Sequence, residues 1–417
     1  MSGVAIGIDV GTSGVRAALV DEAGLPLAWG ATKLPAEHRR SPLAWWDGVA
    51  GALDALRQSA DLSGVRAIAV DGTSGTVLPV DAHGMPLGPA SMYNDPADPA
   101  QVARVAAVAP SDSAAHGATS PLAKFLALQA TPGLARMLHQ ADWIAGQLCG
   151  RFDASDANNA LKTGYDPRTG RWPDWLGALG ADASLLPAVL EPGAVLAPLT
   201  AVAAVRFGLP PGVVVAAGTT DGCAAFLATG ASEAGEGVSS LGSTLTIKLL
   251  SDTPVFAPRF GIYSHLLAGR WLPGGASNTG GAALARHFDN DTLARLSASI
   301  NPAQDSGLDY YPLPAPGERF PVADPQFAPR ETPRPADDAR FLHGLLEGIA
   351  RIEALAYARL HELGAPKLTK LRTVGGGARN LAWTALRARI LGVELLPARS
   401  EEAAVGAATL ALRALGV

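Results

Sequence analysis

Two aspartates lie at the ends of apolar, β-branched runs, and each is followed by small residues. Asp9 stands near the end of residues 4–10, ahead of Gly11–Gly14, and Asp221 follows the run Val213–Ala217. One explanation is structural, since an aspartate at such a place caps a turn or a helix. The functional alternative assigns Asp9 to a metal–phosphate site and makes Asp221 a general base.

Glycine-rich turns follow strand-like runs at three places: Gly11–Gly14, Gly242–Thr244 and Gly375–Gly377. Without a side chain, glycine lets backbone N–H groups approach a phosphate closely. One such turn alone is more often a structural hairpin. All three after predicted strands favour a nucleotide-binding site.

The sequence lacks the motifs of several other enzyme classes. The sequence has no Gly-x-x-x-x-Gly-Lys-Ser/Thr loop and no Gly-x-Gly-x-x-Gly after its first strand, which excludes the P-loop and argues against a dinucleotide fold. Ser74 and Ser277 follow Gly-x, but neither completes the Gly-x-Ser-x-Gly of a hydrolase. His361-Glu362 lacks the second histidine of a zinc helix.

Composition indicates a globular enzyme-sized chain. It has 417 residues, 48% of them hydrophobic and 17% charged, with a net charge of -5 and no basic run. We therefore expect no nucleic-acid partner. No apolar stretch reaches about 18 residues, so we expect no membrane partner. Cys149 and Cys223 are too few for a disulfide framework, which predicts a cytoplasmic location.

Strand and helix patterns alternate along the chain, which predicts an α/β fold. A three-stranded meander is expected over residues 4–10, 15–20 and from 25, followed by a helix at 44–59. A second meander begins near 235, and its turn resembles the first. We therefore predict two domains with related cores.

The last quarter of the chain predicts a long helix and a second strand–loop–helix unit. Residues 312–335 include eight prolines, and their aromatic residues favour an ordered surface loop. A helix is expected at 337–363, a strand at 371–374, a last strand at 393–396 and a helix from Glu401.

Four segments resemble motifs of the FGGY family of carbohydrate kinases. They are Ile8–Arg16, Ala217–Asp221, Gly317–Pro321, which is similar to a Gly-Glu-Arg-x-Pro signature, and Val374–Asn380. The resemblance implies an actin-like, ribonuclease H-like ATPase fold, in which two related domains flank a nucleotide- and sugar-binding cleft. It places sugar binding and the catalytic aspartate in residues 1–222, and ATP binding in residues 223–417.

The resemblance also implies roles for individual residues. Asp221 is expected to be the catalytic base, and Asp9 a second catalytic residue that holds Mg²⁺ through water. The expected sugar contacts are Asp9, Ser13, Gly14, Val15, Arg16, Ser74 and Asp221. The expected ATP contacts are Gly11, Thr12, Gly242, Ser243, Thr244, Gly281, Gly375, Gly376, Gly377, Ala378, Arg379 and Asn380.

Within the family, the chain most resembles compact kinases of D-ribulose. Asp71–Thr76 stands where many xylulose kinases have Gly-Gln-Met-His-Gly, and Tyr93–Pro96 replaces the usual Trp-x-Asp-x-Arg. The expected reaction is ATP-dependent phosphorylation of a ketopentose, D-ribulose to D-ribulose 5-phosphate, by a monomer or homodimer. The alternatives are a kinase of D-xylulose or another polyol, and a non-catalytic actin-like nucleotide-binding protein.

Overall fold

The computed structural model describes residues 4–417 and divides into two compact units. Unit 1 comprises the chain up to Ala228 together with His265–Gly269 and Glu402–Val417, and unit 2 comprises Thr229–Ser264 and Arg270–Glu401. The division differs from the predicted boundary at residues 222/223, because the helix after Asp221 and the C-terminal helix both belong to unit 1.

The described residues form sixteen strands and thirteen α-helices. The strands are β1 (Ala5–Val10), β2 (Gly14–Val20), β3 (Pro26–Lys33), β4 (Ala67–Gly72), β5 (Val77–Val80), β6 (Arg136–His139), β7 (Ala154–Asp156), β8 (Ala188–Leu190), β9 (Val195–Pro198), β10 (Val214–Thr220), β11 (Glu236–Leu241), β12 (Leu245–Leu249), β13 (Ser264–Leu267), β14 (Arg270–Ser277), β15 (Lys370–Val374) and β16 (Glu394–Pro397). The helices are α1 (Pro42–Ser59), α2 (Pro99–Val108), α3 (Pro121–Leu128), α4 (Gln140–Cys149), α5 (Ala157–Leu161), α6 (Trp175–Ala178), α7 (Ala201–Phe207), α8 (Asp221–Ala228), α9 (Gly281–Ala285), α10 (Asn290–Ser297), α11 (Asp338–Glu362), α12 (Leu381–Leu391) and α13 (Ala403–Ala414). Short 3₁₀ turns occupy Ala36–His38, Ala183–Leu185, Pro258–Phe260 and Gly376–Arg379.

The main sheet of unit 1 has the strand order β3-β2-β1-β4-β10-β9. The predicted meander is confirmed, since β1, β2 and β3 pair antiparallel, while β4 lies parallel to both β1 and β10. Apolar side chains of β1 such as Ile6 and Ile8 pack in one core with Trp45 of α1 and Trp143 of α4.

Helix α13 covers the opposite face of this sheet, and its backbone lies directly against that of β1. A Cβ on Gly7 would stand 1.9 Å from the carbonyl oxygen of Ala404, and one on Gly406 would stand 1.8 Å from that of Ala224. Any side chain at either glycine would push α13 away from β1 or α8. This close packing explains why the C-terminal helix belongs to unit 1.

Unit 2 repeats the arrangement of unit 1. Five strands of its sheet run in the order β14-β12-β11-β15-β16, with β11, β12 and β14 antiparallel and with β15 and β16 parallel to β11. The apolar stripe of α11, including Phe341 and Leu345, packs into the core of this unit. The prediction of two domains with related cores is therefore confirmed in topology.

The proline-rich segment 312–335 is irregular but well packed, as predicted. Phe320 is fully buried, and the ring of Tyr311 lies 4.7 Å from that of Phe327. Tyr310 contacts Phe341 of α11 edge to face, with ring centroids 5.8 Å apart. These contacts fix the segment against unit 2.

Candidate active site

Three carboxyl groups gather at the carboxyl ends of neighbouring strands in unit 1. Asp9 and Asp71 are register partners on the parallel strands β1 and β4. Asp221 is the first residue of α8, directly after β10, which pairs with β4 on its other side. Parallel strands bring their carboxyl ends to one edge, so the topology concentrates negative charge there.

Asp71 is the most deeply buried of the three. It is 0% exposed, and neither of its carboxyl oxygens accepts a hydrogen bond from residues 4–417. Burial raises the pKa of Asp71 well above its ordinary value, and the charges of Asp9 and Asp221 raise it further. The fold therefore favours the protonated form of Asp71, whose O–H can donate to the carboxylate of Asp9.

Asp9 has a mixed environment. Burial raises the pKa of its carboxyl group, the Arg16 guanidinium opposes that shift, and the charge of Asp221 adds to it. Arg16 lies opposite Asp9 on β2, with its Nη1 3.4 Å from Asp9 Oδ2. Its Nε lies 3.6 Å from Oε2 of Glu402, and half of the Arg16 side chain stays exposed. The arginine can therefore also reach a ligand.

Asp221 is half-buried, and its Oδ1 accepts a hydrogen bond of 2.6 Å from the N–H of Gly222. Asp221 is itself the first residue of helix α8. Its carboxylate lies in the first turn, where the positive end of the helix dipole favours negative charge.

The turn between β1 and β2 suits an anionic ligand. Among residues 4–417 the N–H groups of Thr12 and Ser13 have no acceptor, and Ser13 is exposed. A Cβ on Gly14 would lie 2.5 Å from the carbonyl oxygen of Thr32, so only glycine fits there. Val15 differs from its predicted role, because its side chain is fully buried in the core and leaves only its backbone for a ligand.

A buried hydrogen-bond network fixes the loop after β4. Oε1 of Gln140 accepts from the N–H and the hydroxyl of Thr73, at 2.9 and 2.8 Å. The hydroxyl of Thr73 also bonds that of Thr76 at 2.6 Å, and Thr76 accepts from the N–H of Tyr93 at 3.0 Å. Ser74 is half-buried in this loop. The network holds Ser74 next to the strand end that carries Asp71.

Sequence reasoning did not assign Asp71, Thr73 or Gln140 to the site. The signal for Asp71 was present, because it ends an apolar strand and precedes Gly-Thr-Ser-Gly, as Asp9 precedes Gly11–Gly14. Gln140 is 67 residues from Thr73, and no local pattern connects the two.

The equivalent turn of unit 2 lies between β11 and β12. Gly242 and Ser243 are exposed, and the N–H groups of Ser243 and Thr244 have no acceptor among residues 4–417. The N–H of Gly281 donates to the carbonyl of Gly242 at 2.8 Å, which brings the start of α9 against this turn. The structure thus brings together Gly242, Ser243, Thr244 and Gly281, four of the residues expected to contact ATP.

A cavity of about 860 Å³ in unit 2 is lined by three residues of the third glycine-rich segment, Gly376, Arg379 and Asn380. Its volume suits a nucleoside. Nδ2 of Asn380 donates to Ser297 Oγ at 2.8 Å, and its Oδ1 caps α12 by accepting from Trp383 N at 3.0 Å.

The remaining residues of that segment do not line the cavity. A Cβ on Gly375 would lie 2.9 Å from the carbonyl oxygen of Leu241, and one on Gly377 would meet the Leu241 side chain at 2.7 Å. Both glycines therefore let the segment pack against the end of β11. Ala378 is half-buried beside them.

Over residues 4–417 no three His, Cys, Asp or Glu side chains form a group that could hold a metal ion. In the same range, no helix has the length and apolar character needed to cross a membrane.

Comparison with known proteins agrees with the fold and the motifs. The N-terminal domain of the FGGY family of carbohydrate kinases matches residues 4–107, and its C-terminal domain matches residues 237–415. The chain belongs to the FGGY family. The predicted fold, two α/β domains of the actin-like ATPase type, is confirmed with it.

Named relatives of this FGGY kinase include several xylulose kinases. That of Escherichia coli (strain K12) is 28% identical over 94% of this chain and 85% of its own length, and that of Streptomyces coelicolor is 29% identical over 97% and 87%. Among solved structures, a xylulose kinase from Rhodospirillum rubrum superposes with a TM-score of 0.82 at 27% identity, covering 99% of this chain and 89% of the other. The family is thus as predicted, whereas these relatives are named for xylulose rather than ribulose.

Proposed function

We propose that this FGGY kinase transfers the γ-phosphoryl group of ATP to the terminal hydroxyl of a ketopentose. The observation that carries the proposal is the position of Asp221, a half-buried carboxylate in the first turn of α8, at the strand edge that also holds Asp9 and Asp71. The chain's membership of a carbohydrate kinase family supports phosphoryl transfer to a sugar as the class of reaction.

Asp221 acts in this proposal as the general base. A sugar hydroxyl is a weak nucleophile, and a carboxylate that accepts its proton as the new O–P bond forms contributes about 10²- to 10⁴-fold to the rate. The Gly222 N–H and the helix dipole stabilise its ionised form. The raised pKa of the neighbouring Asp71 favours its neutral form, which adds no second charge against Asp221.

Phosphate binding is assigned to the two turns and their N–H groups. In unit 1, Thr12 and Ser13 offer unpaired backbone donors, and in unit 2 Ser243 and Thr244 do the same. Such donors stabilise charge in the transition state without reorganising. Gly376, Arg379 and Asn380 would bind the adenosine in the cavity that they line.

Asp9 is the residue that would hold Mg²⁺, through water. Carboxylate oxygens are the ligands this ion prefers, and it keeps several waters of its own. A cation fits here because burial and the charge of Asp221 both raise the pKa of Asp9. A bound ion would offset the repulsion between the two carboxylates. Bound Mg²⁺ would supply charge neutralisation for the phosphates.

The sugar is assigned to Ser13, Gly14, Arg16 and Ser74. Arg16 has exposed donors next to Asp9, and the Thr73–Gln140 network fixes Ser74. Two ketopentoses remain as candidates. The Asp71–Thr76 loop favours D-ribulose, as in the sequence resemblance, whereas the names of the relatives favour D-xylulose.

A coupled assay of ADP release across D-ribulose, D-xylulose, pentitols and glycerol tests the proposal. We expect one ketopentose to dominate in kcat/KM. Asp221→Asn should lower kcat by at least about 10²-fold in a folded protein, whereas Asp61→Asn, at an exposed loop of unit 1, should not change it. Normal turnover by the Asp221 variant would remove this residue from the mechanism. ATP turnover independent of any sugar would favour the non-catalytic alternative.

A further inference from the structure

A second concave site in unit 2 lies beside the Gly-Glu-Arg-x-Pro segment, for which the proposed reaction has no role. The pocket has a volume of about 570 Å³ and is lined by Arg259, Phe260, Asn278 and Arg319, among others. It shares no lining residue with the cavity at Asn380. It is therefore a separate place for a ligand.

The wall of this pocket is built on a buried carboxylate, Glu318, which is only 2% exposed. Its Oε2 accepts from the hydroxyls of Ser277 and Tyr311, at 2.6 and 3.0 Å. Its Oε1 accepts from the N–H groups of Asn278 and Arg319, at 2.8 and 2.9 Å. Four donors thus satisfy Glu318 completely, so it is a structural clamp that fixes Arg319 to the end of β14.

Asn278 orients the side chain of Arg319. Its Oδ1 accepts from Arg319 Nε at 2.6 Å, while its Nδ2 donates to the carbonyl of Gly317 at 2.8 Å. Both the oxygen and the nitrogen of the Asn278 amide therefore help to position Arg319. The Nη groups of Arg319 stay exposed, and no carboxylate of residues 4–417 pairs with them within 4.0 Å.

A second guanidinium and an aromatic wall complete the pocket. Arg259 lies with its Cζ 5.4 Å from the ring centre of Phe260, and it too has no carboxylate within 4.0 Å among the described residues. The Phe260 ring is anchored edge to face on the buried Phe320, at 5.9 Å. Two uncompensated cations thus border an apolar surface that is held rigid.

We propose that this pocket binds a small organic phosphate, a phosphate ester on a sugar-sized skeleton. Guanidinium groups match phosphate oxygens in a two-pronged geometry, and two of them suit a dianion. Phe260 lies beside these cations in the wall of the pocket, and the volume admits a phosphorylated pentose or the tail of a nucleotide. This site does not depend on Asp221 and goes beyond the proposed reaction.

Isothermal titration calorimetry on the full chain tests the site. The probes are D-ribulose 5-phosphate, D-xylulose 5-phosphate and ADP, each titrated into wild type, Arg259→Gln, Arg319→Gln and the double variant. The matched control is Arg330→Gln, an exposed arginine of the same segment whose guanidinium lies 2.8 Å from Asp309. Both pocket arginines are exposed, so we expect all variants to keep the wild-type melting temperature.

We expect the double variant to bind at least one phosphate probe about tenfold or more weakly, as for the loss of charge-assisted hydrogen bonds, while the control binds like wild type. Weakening confined to the pentose phosphates identifies the ligand as a sugar phosphate, and weakening confined to ADP identifies the tail of a nucleotide. Equal affinity of wild type and double variant for all three probes, or no binding by wild type, overturns the proposal.

Discussion

Five strands of the two sheets share one order, but the residues at the carboxyl edges differ. In unit 1 the register partners on the central parallel strands are Asp9 and Asp71, and in unit 2 the corresponding partners on β11 and β15 are Ser240 and Val374. Both sheets carry a turn with unpaired N–H groups next to this edge. The same frame thus carries acidic residues at these strand ends in unit 1 and uncharged ones in unit 2.

The buried acidic residues Glu353, Asp71 and Asp156 differ in whether a cation pairs with them. In unit 2, Glu353 is fully buried with Arg387, whose Nε and Nη2 donate to it at 2.6 and 2.7 Å. In unit 1, no cation among residues 4–417 pairs with Asp71 or Asp156, and burial raises the pKa of Asp156 to about 7. Unit 2 uses buried charge to hold its helices, whereas unit 1 keeps carboxyl groups that can bind or release protons.

The largest expected effect is a loss of stability when the buried ion pair of unit 2 is broken. Arg387→Met leaves Glu353 buried without a partner and removes the hydrogen bond to Thr373 Oγ1, so we expect the free energy of unfolding to fall by about 3–5 kcal/mol. Urea unfolding followed by tryptophan fluorescence measures it.

Arg206→Met is the control for that substitution. It removes an arginine that makes two hydrogen bonds of 2.8 Å to Asp54 in unit 1, but at an exposed site. We expect a much smaller loss there, because exposed ion pairs contribute little. Equal losses in both variants would contradict the distinction between buried and exposed pairs.

The next effect separates the two sheet edges. Asp9→Asn removes the charge proposed to hold Mg²⁺, and we expect kcat to fall by about 10²-fold or more. Ser240→Ala alters the equivalent position of unit 2, where no carboxylate is needed, and should leave kcat within about twofold. Steady-state kinetics at saturating ATP and sugar compare them. A similar loss in both would mean that the acid is not what distinguishes the edges.

Much of this contrast was accessible from the sequence. Strand ends at Asp9 and Asp221 were predicted because apolar runs stop there at small residues, and the repeated turn predicted two related sheets. The burial of Asp71 could not be predicted, because it depends on β4 lying between β1 and β10, which are more than 200 residues apart in sequence. Local periodicity contains no information on that pairing.

Tertiary packing also decided the points on which sequence reasoning differed from the structure. The C-terminal helix returns to unit 1 because Gly7 and Gly406 permit backbone contact, and neither glycine stood in a recognisable motif. Val15 lies within a motif that resembles a phosphate turn, yet the alternation of β2 directs its side chain into the core. Motif membership therefore identifies the segment, and strand geometry identifies which side chains can reach a ligand.

A smaller effect tests the cavity of unit 2. Asn380→Ser keeps a hydroxyl that can cap α12 but removes the amide, so stability should hold while KM for ATP rises about tenfold at nearly constant kcat. Initial rates over a range of ATP concentrations measure this change, and a melting curve checks the cap. A rise in KM for the sugar alone would contradict the assignment of this cavity to adenosine.

The smallest effect concerns Asp71 and the pH dependence of stability. The folded-state pKa of Asp71 is raised, so its contribution to stability is fully present below its unfolded-state pKa of about 3.9 and is lost as pH rises toward the folded-state value. Asp71→Asn keeps the shape and a donor toward Asp9 but cannot ionise. We therefore expect the variant to match wild type near pH 4 and to exceed it in free energy of unfolding by an amount that grows as pH rises toward the folded-state pKa of Asp71.

Urea unfolding of both proteins from pH 4 to pH 8 measures that difference, with Asp61→Asn as the control at an exposed aspartate. If the Asp71 variant differed from wild type by a constant amount at every pH, the carboxyl group would titrate alike in the folded and unfolded chains. The edge of unit 1 would then not differ from that of unit 2 in its protonation, because the distinction requires a carboxyl group whose proton the fold retains. A difference in free energy of unfolding between variant and wild type that widens with pH shows that the fold retains this proton.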